Sequence, residues 1–210
     1  MIIAIDGPTA SGKGTIAKRI AAHYGFHLLD TGLLYRAVAR AVLDVCQSLE
    51  NSEAATACAQ KLDFAALDEN RLRTREIGDA ASVVSAYPGV RQALFEGQQL
   101  FAQKKPGAVL DGRDIGTVIC PEAEAKLFIT ANPEIRAHRR WLELVKLDPA
   151  LSEESVLADI RRRDERDSNR STAPLKIADD ARLLDTSLMD IETASREALR
   201  LIETSLSRQG

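Results

Sequence analysis

The residues from Gly7 to Thr15 have the types and spacing to hold the phosphates of a nucleotide. They follow the apolar run Ile2–Ile5 directly and precede a segment with helical apolar spacing. Glycines let successive backbone N–H groups converge on phosphate oxygens, and the N-terminus of the following helix adds a partial positive charge. Lys13 is placed to reach the β- and γ-phosphates. The predicted site for a nucleoside triphosphate consists of Gly7, Pro8, Thr9, Ala10, Ser11, Gly12, Lys13, Gly14 and Thr15.

The position after Lys13 departs from the strict form of a phosphate loop. Gly14 stands where a serine or threonine is usual, and Thr15 follows it. An ordinary glycine-rich turn is the alternative, but the strand pattern before the loop and the helix pattern after it favour a phosphate loop. We expect Mg²⁺ to accompany the triphosphate, with Thr15, water and the nucleotide phosphates as its ligands.

Two further polar clusters follow predicted strands. The first is Asp30-Thr31-Gly32 with Tyr35-Arg36 shortly after it, and the second is Asp111–Thr117, in which two glycines bracket an Arg-Asp pair. Arginine binds phosphate through a rigid fork of donors, so both clusters suit a phosphorylated ligand. The alternatives are a simple helix N-cap for the first cluster and an internal Arg–Asp ion pair for the second.

The segment Arg161–Arg170 is rich in arginine. Eight arginines fall between Arg136 and Arg170 in a chain whose net charge is −3. On a helix, Arg163, Asp167 and Arg170 would share one face. A solvated helix with surface ion pairs is the alternative. Phosphoryl transfer needs several cations around the transferring group. Because the chain also has a phosphate loop, we expect these arginines to bind phosphate rather than to form surface ion pairs.

Five short apolar runs predict strands, and helical patterns separate them. Strands that alternate with helices indicate an α/β fold whose parallel sheet is covered by helices on both faces. In such sheets ligands bind beyond the carboxyl ends of the strands, where the loop and the polar clusters would lie. The predicted strands are Ile2–Ile5, His27–Leu29, Ala108–Leu110, Lys126–Ile129 and Arg182–Leu184.

Length and composition fit one domain with small additions. The 210 residues are 45% hydrophobic and 28% charged, as in ordinary globular proteins. We expect a single domain over residues 1–210. Within it, the polar stretch at about 62–80 predicts a small insert, and the stretch at about 141–155, where Asp148-Pro149 interrupts two helices, predicts a mobile lid loop.

Charge and hydropathy narrow the classes of function. The net charge of −3 argues against general binding to nucleic acid or membrane surfaces. The longest uncharged run, Ala80–Val90, is shorter than a membrane helix. No basic leader precedes the first strand, and the three scattered cysteines suit a reducing compartment. We expect a cytoplasmic protein without nucleic-acid or membrane partners, and a monomer.

Taken together, these blocks resemble the bacterial cytidylate kinases, a family of P-loop nucleoside monophosphate kinases. They occur in the family's order and nearly span the chain. The resemblance implies a P-loop kinase core and transfer of the γ-phosphoryl group of ATP to CMP or dCMP with Mg²⁺. The matching blocks are Gly7–Thr15, Leu28–Gly32 with Tyr35-Arg36, Asp111–Val118, and Arg163–Arg170 with Ala173-Pro174-Leu175.

The resemblance also implies roles for individual residues. A carboxylate can accept a hydrogen bond from the cytosine amine, and arginines suit phosphate. The implied contacts are Thr31, Asp114 and Arg91 for the base, Ser82, Arg163 and Asp167 for the sugar, and Arg36, Arg113 and Arg170 for the monophosphate. The predicted catalytic cations are Lys13, Arg113, Arg139, Arg140 and Arg163.

Two positions depart from the family pattern, and two other functions stay open. Thr31 stands where serine is more usual, and Asp63–Asp79 is shorter than the family's usual monophosphate-binding insert, which carries its own small sheet. One alternative is a P-loop kinase for another small substrate, such as UMP or a non-nucleotide metabolite. The other is a non-enzymatic NTP-dependent switch or an RNA-binding protein. The arginine pairs beside the lid disfavour a switch, and the acidic net charge and the lack of stacking aromatics disfavour RNA binding.

Overall fold

A parallel sheet of five strands forms the centre of the molecule. The computed structural model describes residues 1–64, 66–146 and 148–207. The strands lie in the order β2-β3-β1-β4-β5, and every neighbouring pair is parallel. Each strand contains a predicted apolar run and is one or two residues longer. The strands are β1 (Ile2–Asp6), β2 (His27–Asp30), β3 (Ala108–Gly112), β4 (Ala125–Thr130) and β5 (Arg182–Asp185).

The described residues form nine α-helices, of which eight lie between strands and the last follows β5, and a π-helical turn at Ile115–Ile119 follows β3. Asn51, Thr74, Ser152 and Asp190 each begin a helix, because their side chains accept a hydrogen bond from a backbone N–H in the first turn. None of these helices is long and apolar enough to cross a membrane. The helices are α1 (Lys13–Tyr24), α2 (Thr31–Asp44), α3 (Ser52–Gln60), α4 (Glu69–Leu72), α5 (Arg75–Val84), α6 (Pro88–Ala102), α7 (Pro133–Leu144), α8 (Glu153–Asn169) and α9 (Ile191–Leu206).

Apolar side chains from alternate strand positions build a core on each face of the sheet. In β1, Ile3 and Ile5 pack with residues of α1 and α9, whereas Ala4 packs with residues of α2 and α6. In β3, Val109 belongs to the same core as Ile3 and Ile5, and Leu110 belongs to the same core as Ala4. Since both faces are covered, the strands are continuously apolar rather than alternating with polar residues. The predicted α/β fold with helices on both faces is confirmed.

Helices α7 and α8 share a small core. It consists of Ala137, Leu144, Leu151, Val156 and Ile160, and Trp141, Leu157 and Ala10 of the phosphate loop pack against it. The connection between the two helices covers residues 145–152, which is shorter than the lid loop predicted at about 141–155. The prediction was too long because α7 continues to Leu144 and Ser152 caps α8. Leu147 lies outside the described residues.

The segment predicted as an insert, at about 62–80, is partly helical and partly irregular where the structure describes it. It contains α4 and the first part of α5, and its described residues form no strand. Arg36 Nη1 on α2 donates hydrogen bonds to the carbonyl oxygens of Leu72 at 2.9 Å and Thr74 at 3.1 Å. These bonds hold the segment beside the carboxyl edge of the sheet. Ala65 lies outside the described residues.

The chain leaves β1 through Gly7 in a conformation that demands glycine. Its φ is +150°, and a Cβ there would lie 2.0 Å from the backbone oxygen of Ile129. Gly25, which ends α1, also has a positive φ of +65°, but a Cβ there would meet nothing within 4 Å. The first position therefore combines backbone strain with a clash against β4, whereas the second has strain alone.

This difference predicts unequal effects of alanine at the two glycines. Gly7→Ala should lower the free energy of unfolding by about 3 kcal/mol or more, because strain and overpacking add. Gly25→Ala, the control, should lower it by about 1 kcal/mol. Urea denaturation with an unchanged slope measures both values. Equal losses in the two variants would show that the contact with Ile129 is unimportant.

Candidate active site

A cavity of about 710 Å³ opens at the carboxyl edge of the sheet. Thr9–Thr15 of the phosphate loop line it, whereas Gly7 and Pro8 do not. All the residues expected to contact CMP or to act as catalytic cations line the same cavity. They are Lys13, Thr31, Arg36, Ser82, Arg91, Arg113, Asp114, Arg139, Arg140, Arg163, Asp167 and Arg170.

Pro8 contributes to the loop through its backbone rather than by lining the cavity. Lys13 is buried at the start of α1, and its Nζ donates a hydrogen bond to the Pro8 carbonyl oxygen at 3.2 Å. This bond bends the lysine side chain back over the loop that contains both residues. The ammonium group is therefore held over the loop whose backbone N–H groups would bind phosphate.

Asp111, at the end of β3, is the nearest carboxylate to this lysine. Its Oδ1 lies 4.0 Å from Lys13 Nζ and has no hydrogen-bond partner. Burial, and secondly the Arg113 cation, lower the pKa of Lys13 to about 8. Burial also raises the pKa of Asp111 to about 6, although the lysine opposes this shift. Burial thus destabilises the charged forms of both groups. A polyanionic ligand would stabilise the ammonium of Lys13, and a cation would stabilise the carboxylate of Asp111.

The cluster after β2 does more than cap a helix. Asp30 occupies the N-cap position of α2, but its side chain makes no cap hydrogen bond. It accepts a hydrogen bond from Arg73 Nη2 at 2.9 Å instead. Thr31 Oγ1 donates to the backbone oxygen of Asp111 at 2.8 Å. Because the hydroxyl proton is used there, the Thr31 oxygen faces other partners as an acceptor.

Buried Asp6 fixes the turn that carries the Arg-Asp pair. Its two carboxyl oxygens accept hydrogen bonds from the backbone N–H groups of Ile115 and Gly116, each at 2.8 Å. Burial raises the pKa of Asp6 to about 7, and the two N–H groups oppose this shift. Asp114 directly precedes the π-helical turn that is anchored in this way.

Arg113 and Asp114 pair with other residues rather than with each other. Arg113 Nε donates to Asp167 Oδ2 at 3.0 Å. Asp114 Oδ2 accepts from Arg91 Nη2, and Asp114 Oδ1 accepts from Arg170 Nη2 at 3.3 Å. The internal ion pair that the sequence allowed is therefore absent. Helix α8 meets the turn after β3 through Asp167, and Arg170 at its C-terminal cap meets Asp114.

The remaining arginines of the site differ in how many of their N–H donors already have a partner in the protein. Arg163 makes no hydrogen bond or ion pair with any other described residue, and burial together with the Arg113 charge lowers its pKa. Arg139 donates to Thr186 Oγ1 and to the Thr186 carbonyl oxygen, and Arg140 pairs with Glu143. Arg163 is therefore the arginine with most donors available to a ligand.

Several residues of the site were not predicted from the sequence. Asp6 follows an apolar run like the other strand-end aspartates, which is a signal that could have identified it. Arg73 lies on the insert, and the sequence does not show that it reaches Asp30. Tyr35 belongs to the predicted cluster after β2, but the sequence does not show that it lies under the Arg91 guanidinium, 5.5 Å from ring centre to Cζ. Asp111 begins one of the predicted polar clusters, but the sequence does not show that it lies near Lys13.

The oxygen donors beside the phosphate loop fit a hard divalent cation such as Mg²⁺. The Asp111 Oδ1 atom is buried without a hydrogen-bond partner, and the exposed Thr15 hydroxyl lines the same cavity. No group of three or more acidic, cysteine or histidine side chains suited to a metal occurs in the described part of the chain. The protein would therefore hold such an ion together with nucleotide phosphates and water.

Comparisons with solved structures agree with the fold. An uncharacterized protein from Eubacterium ventriosum superimposes with a TM-score of 0.58 at 16% identity, covering 97% of this chain and 99% of that chain. Shikimate kinase from Bacteroides thetaiotaomicron gives a TM-score of 0.52 at 13% identity, covering 97% and 98%. These similarities support the predicted α/β fold.

Sequence relatives carry the assignment further. The family model described as Cytidylate kinase matches residues 3–204. A protein named Cytidylate kinase from Rhodopseudomonas palustris strain CGA009 is 58% identical over 203 residues, covering 97% of this chain and 96% of that protein. Another with the same name, from Afipia carboxidovorans, is 59% identical and covers 97% of each chain. The chain therefore belongs to the cytidylate kinase family.

Proposed function

We propose that this enzyme transfers the γ-phosphoryl group of ATP to CMP or dCMP, giving ADP and CDP or dCDP. One observation carries the proposal: a single cavity is lined both by the phosphate loop and by Thr31 and Asp114, which can accept hydrogen bonds from an amine. Between them lie the arginines that suit a monophosphate. The family relationship supports the same substrates.

The base would be recognised by acceptors that the fold has already oriented. The Thr31 hydroxyl gives its proton to the Asp111 backbone, which leaves oxygen lone pairs for the cytosine amine. Asp114 is held by Arg91 and Arg170, and each carboxylate oxygen retains a second lone pair for the same amine. UMP would place a carbonyl oxygen against these acceptors, so cytosine is the better fit.

The phosphoryl group would move between the phosphate loop and the arginines at the turn after β3. Lys13 and Arg163 offer positive charge to its oxygens, and Arg36 and Arg113 would hold the acceptor phosphate. The acceptor oxygen is already ionised, so no general base is needed, and positioning with electrostatic stabilisation accounts for the rate. When bound, Mg²⁺ supplies further charge neutralisation beside Asp111 and Thr15.

We also propose that α7 and α8 form the lid. A shared small core holds the two helices together, and Arg136 joins them through two hydrogen bonds to Asp164. Closure would exclude water that otherwise hydrolyses ATP and would bring Arg139 and Arg140 towards the phosphates. A small monophosphate-binding insert at about 62–80, and a monomeric cytoplasmic enzyme, stay predictions.

Base discrimination tests the proposed function directly. A buried mismatch with UMP removes a hydrogen bond and leaves an unpaired polar group, about 2–4 kcal/mol. The ratio kcat/KM should therefore favour CMP over UMP by roughly thirty- to several-hundred-fold. A coupled assay of ADP release over a panel of nucleoside monophosphates measures it. Values for CMP, UMP and AMP within about threefold of each other would refute CMP specificity, and no turnover with any acceptor would refute kinase activity.

Two variants test whether Asp114 causes the preference for CMP over UMP. Asp114→Asn should narrow the ratio of CMP to UMP, chiefly by lowering kcat/KM for CMP, because the amide offers a donor where the carboxylate accepts. Arg36→Met is the matched control, since it should weaken both pyrimidines equally through their shared phosphate. If the ratio of kcat/KM for CMP to that for UMP is unchanged in Asp114→Asn, Asp114 does not recognise the base.

The pKa of Lys13 predicts a basic limb in the pH profile. The ammonium is the active form, and in the ligand-free enzyme its pKa is about 8. Hence kcat/KM for ATP should fall about tenfold per pH unit above that value. At saturating ATP the limb in kcat should move to higher pH, because the phosphates stabilise the ammonium. Lys13→Arg keeps a charge that does not titrate, so a limb at the same pH in this variant would exclude Lys13 as its source.

Lid closure predicts slower hydrogen exchange at the start of α8. Backbone amides of residues 148–155 should exchange more slowly when a bisubstrate analogue fills both nucleotide positions. Amides of residues 198–206 in the second half of α9, which packs on the sheet and does not line the cavity, serve as the internal control and should change little. Equal exchange of residues 148–155 with and without the analogue would argue against closure.

A further inference from the structure

One arginine of α8 contacts the site from behind the cavity wall. Arg166 Nη1 donates a hydrogen bond to Ser82 Oγ on α5 at 2.8 Å. Ser82 is buried and lines the cavity, whereas Arg166 is half-buried and does not line it. The arginine therefore reaches the proposed CMP site only through this serine.

The contact determines which way the serine hydroxyl can act. A hydroxyl has one proton to donate and two lone pairs to accept with. Arg166 occupies a lone pair with a charged donor, and no described residue takes the Ser82 proton. The proton is thus left for a ligand in the cavity. A charged partner also makes the bond stronger than one between neutral groups.

We infer that Arg166 is a positioning residue for the nucleoside: it fixes Ser82 as a hydrogen-bond donor to an oxygen of the CMP sugar or base. This inference rests on the proposed function and adds to it a residue that the ligand does not touch. Arg166 lies three residues after Arg163 and one before Asp167, so α8 presents it beside residues proposed to contact the sugar.

A purely structural role for Arg166 is already filled by another residue. Arg75 on α5 donates through Nε to Asp159 at 2.8 Å and through Nη2 to Ser155 at 2.9 Å, both on α8. These bonds join the same two helices without lining the cavity. Arg75 therefore provides a matched control for the loss of a bond between α5 and α8.

The experiment compares steady-state kinetics of variants in the full chain. Arg166→Met should raise KM for CMP about tenfold, as expected for loss of a hydrogen bond to a charged group. The values of kcat and of KM for ATP should stay within about twofold, because the contact affects ground state and transition state equally. Arg166→Lys, which retains a donor, should recover part of the loss.

A double-mutant cycle links the effect to Ser82. Ser82→Ala should raise KM for CMP by about the same factor, and the double variant should be no worse than either single variant, since both changes remove one interaction. Arg75→Met should lower the melting temperature at least as much as Arg166→Met but leave KM for CMP within about twofold.

Each outcome decides the matter. Three results would overturn the role of Arg166. The rises in KM for CMP could multiply in the double variant, KM for CMP could stay unchanged in Arg166→Met, or Arg75→Met could raise KM for CMP as much as Arg166→Met does. In those cases wild-type turnover of CMP would still support the proposed function. A wild-type enzyme that does not phosphorylate CMP would overturn the proposed function, and this inference with it.

Discussion

Repulsion among basic side chains is the constraint on which the site depends. In the part of the chain that the structure describes, ten lysine and arginine residues but only six acidic residues line one cavity. Such crowding is tolerated because carboxylates separate the cations: Asp114 lies between Arg91 and Arg170, and Asp167 pairs with Arg113. The remaining excess of positive charge is balanced only when phosphates enter, which makes the cavity selective for polyanions.

The sheet makes this arrangement possible because its strands end at one edge. β1 at the centre leads into the phosphate loop, and its neighbour β3 leads into the turn with Asp114. Asp6, at the end of β1, joins the phosphate loop to that turn by accepting hydrogen bonds from two backbone N–H groups of the turn. The loop that would bind ATP and the turn that would bind CMP are therefore held together by one buried carboxylate, and their spacing follows from the distance between adjacent strands.

Sequence reasoning succeeded where the signal is local. The five strands are short apolar runs, and the loop from Gly7 to Thr15 has its glycines and lysine in a fixed order, so both were predicted. The expected CMP contacts came from resemblance to a family and not from spacing. Contacts between distant residues were missed: Asp6 and Ile115 are 109 positions apart, and Ser82 and Arg166 are 84 apart. No periodicity within one element reports such pairs.

The connection between α7 and α8 shows a second limit of prediction from the sequence. Asp148-Pro149 correctly marks a break between helices, but the number of residues in the break depends on packing. Trp141 donates to the Leu151 carbonyl oxygen at 2.9 Å, which folds the connection back on α7. A helix end set by such a tertiary contact cannot be found from turn-forming residues alone.

The small core between α7 and α8 has a consequence for heating. Few apolar side chains stabilise this pair, whereas the sheet has a core on each face. Regions with fewer buried contacts open at lower free energy than the rest of a protein, as separate cooperative units. Thermal inactivation would then begin with melting of these two helices while the sheet and the phosphate loop remain folded, and bound nucleotide would delay it.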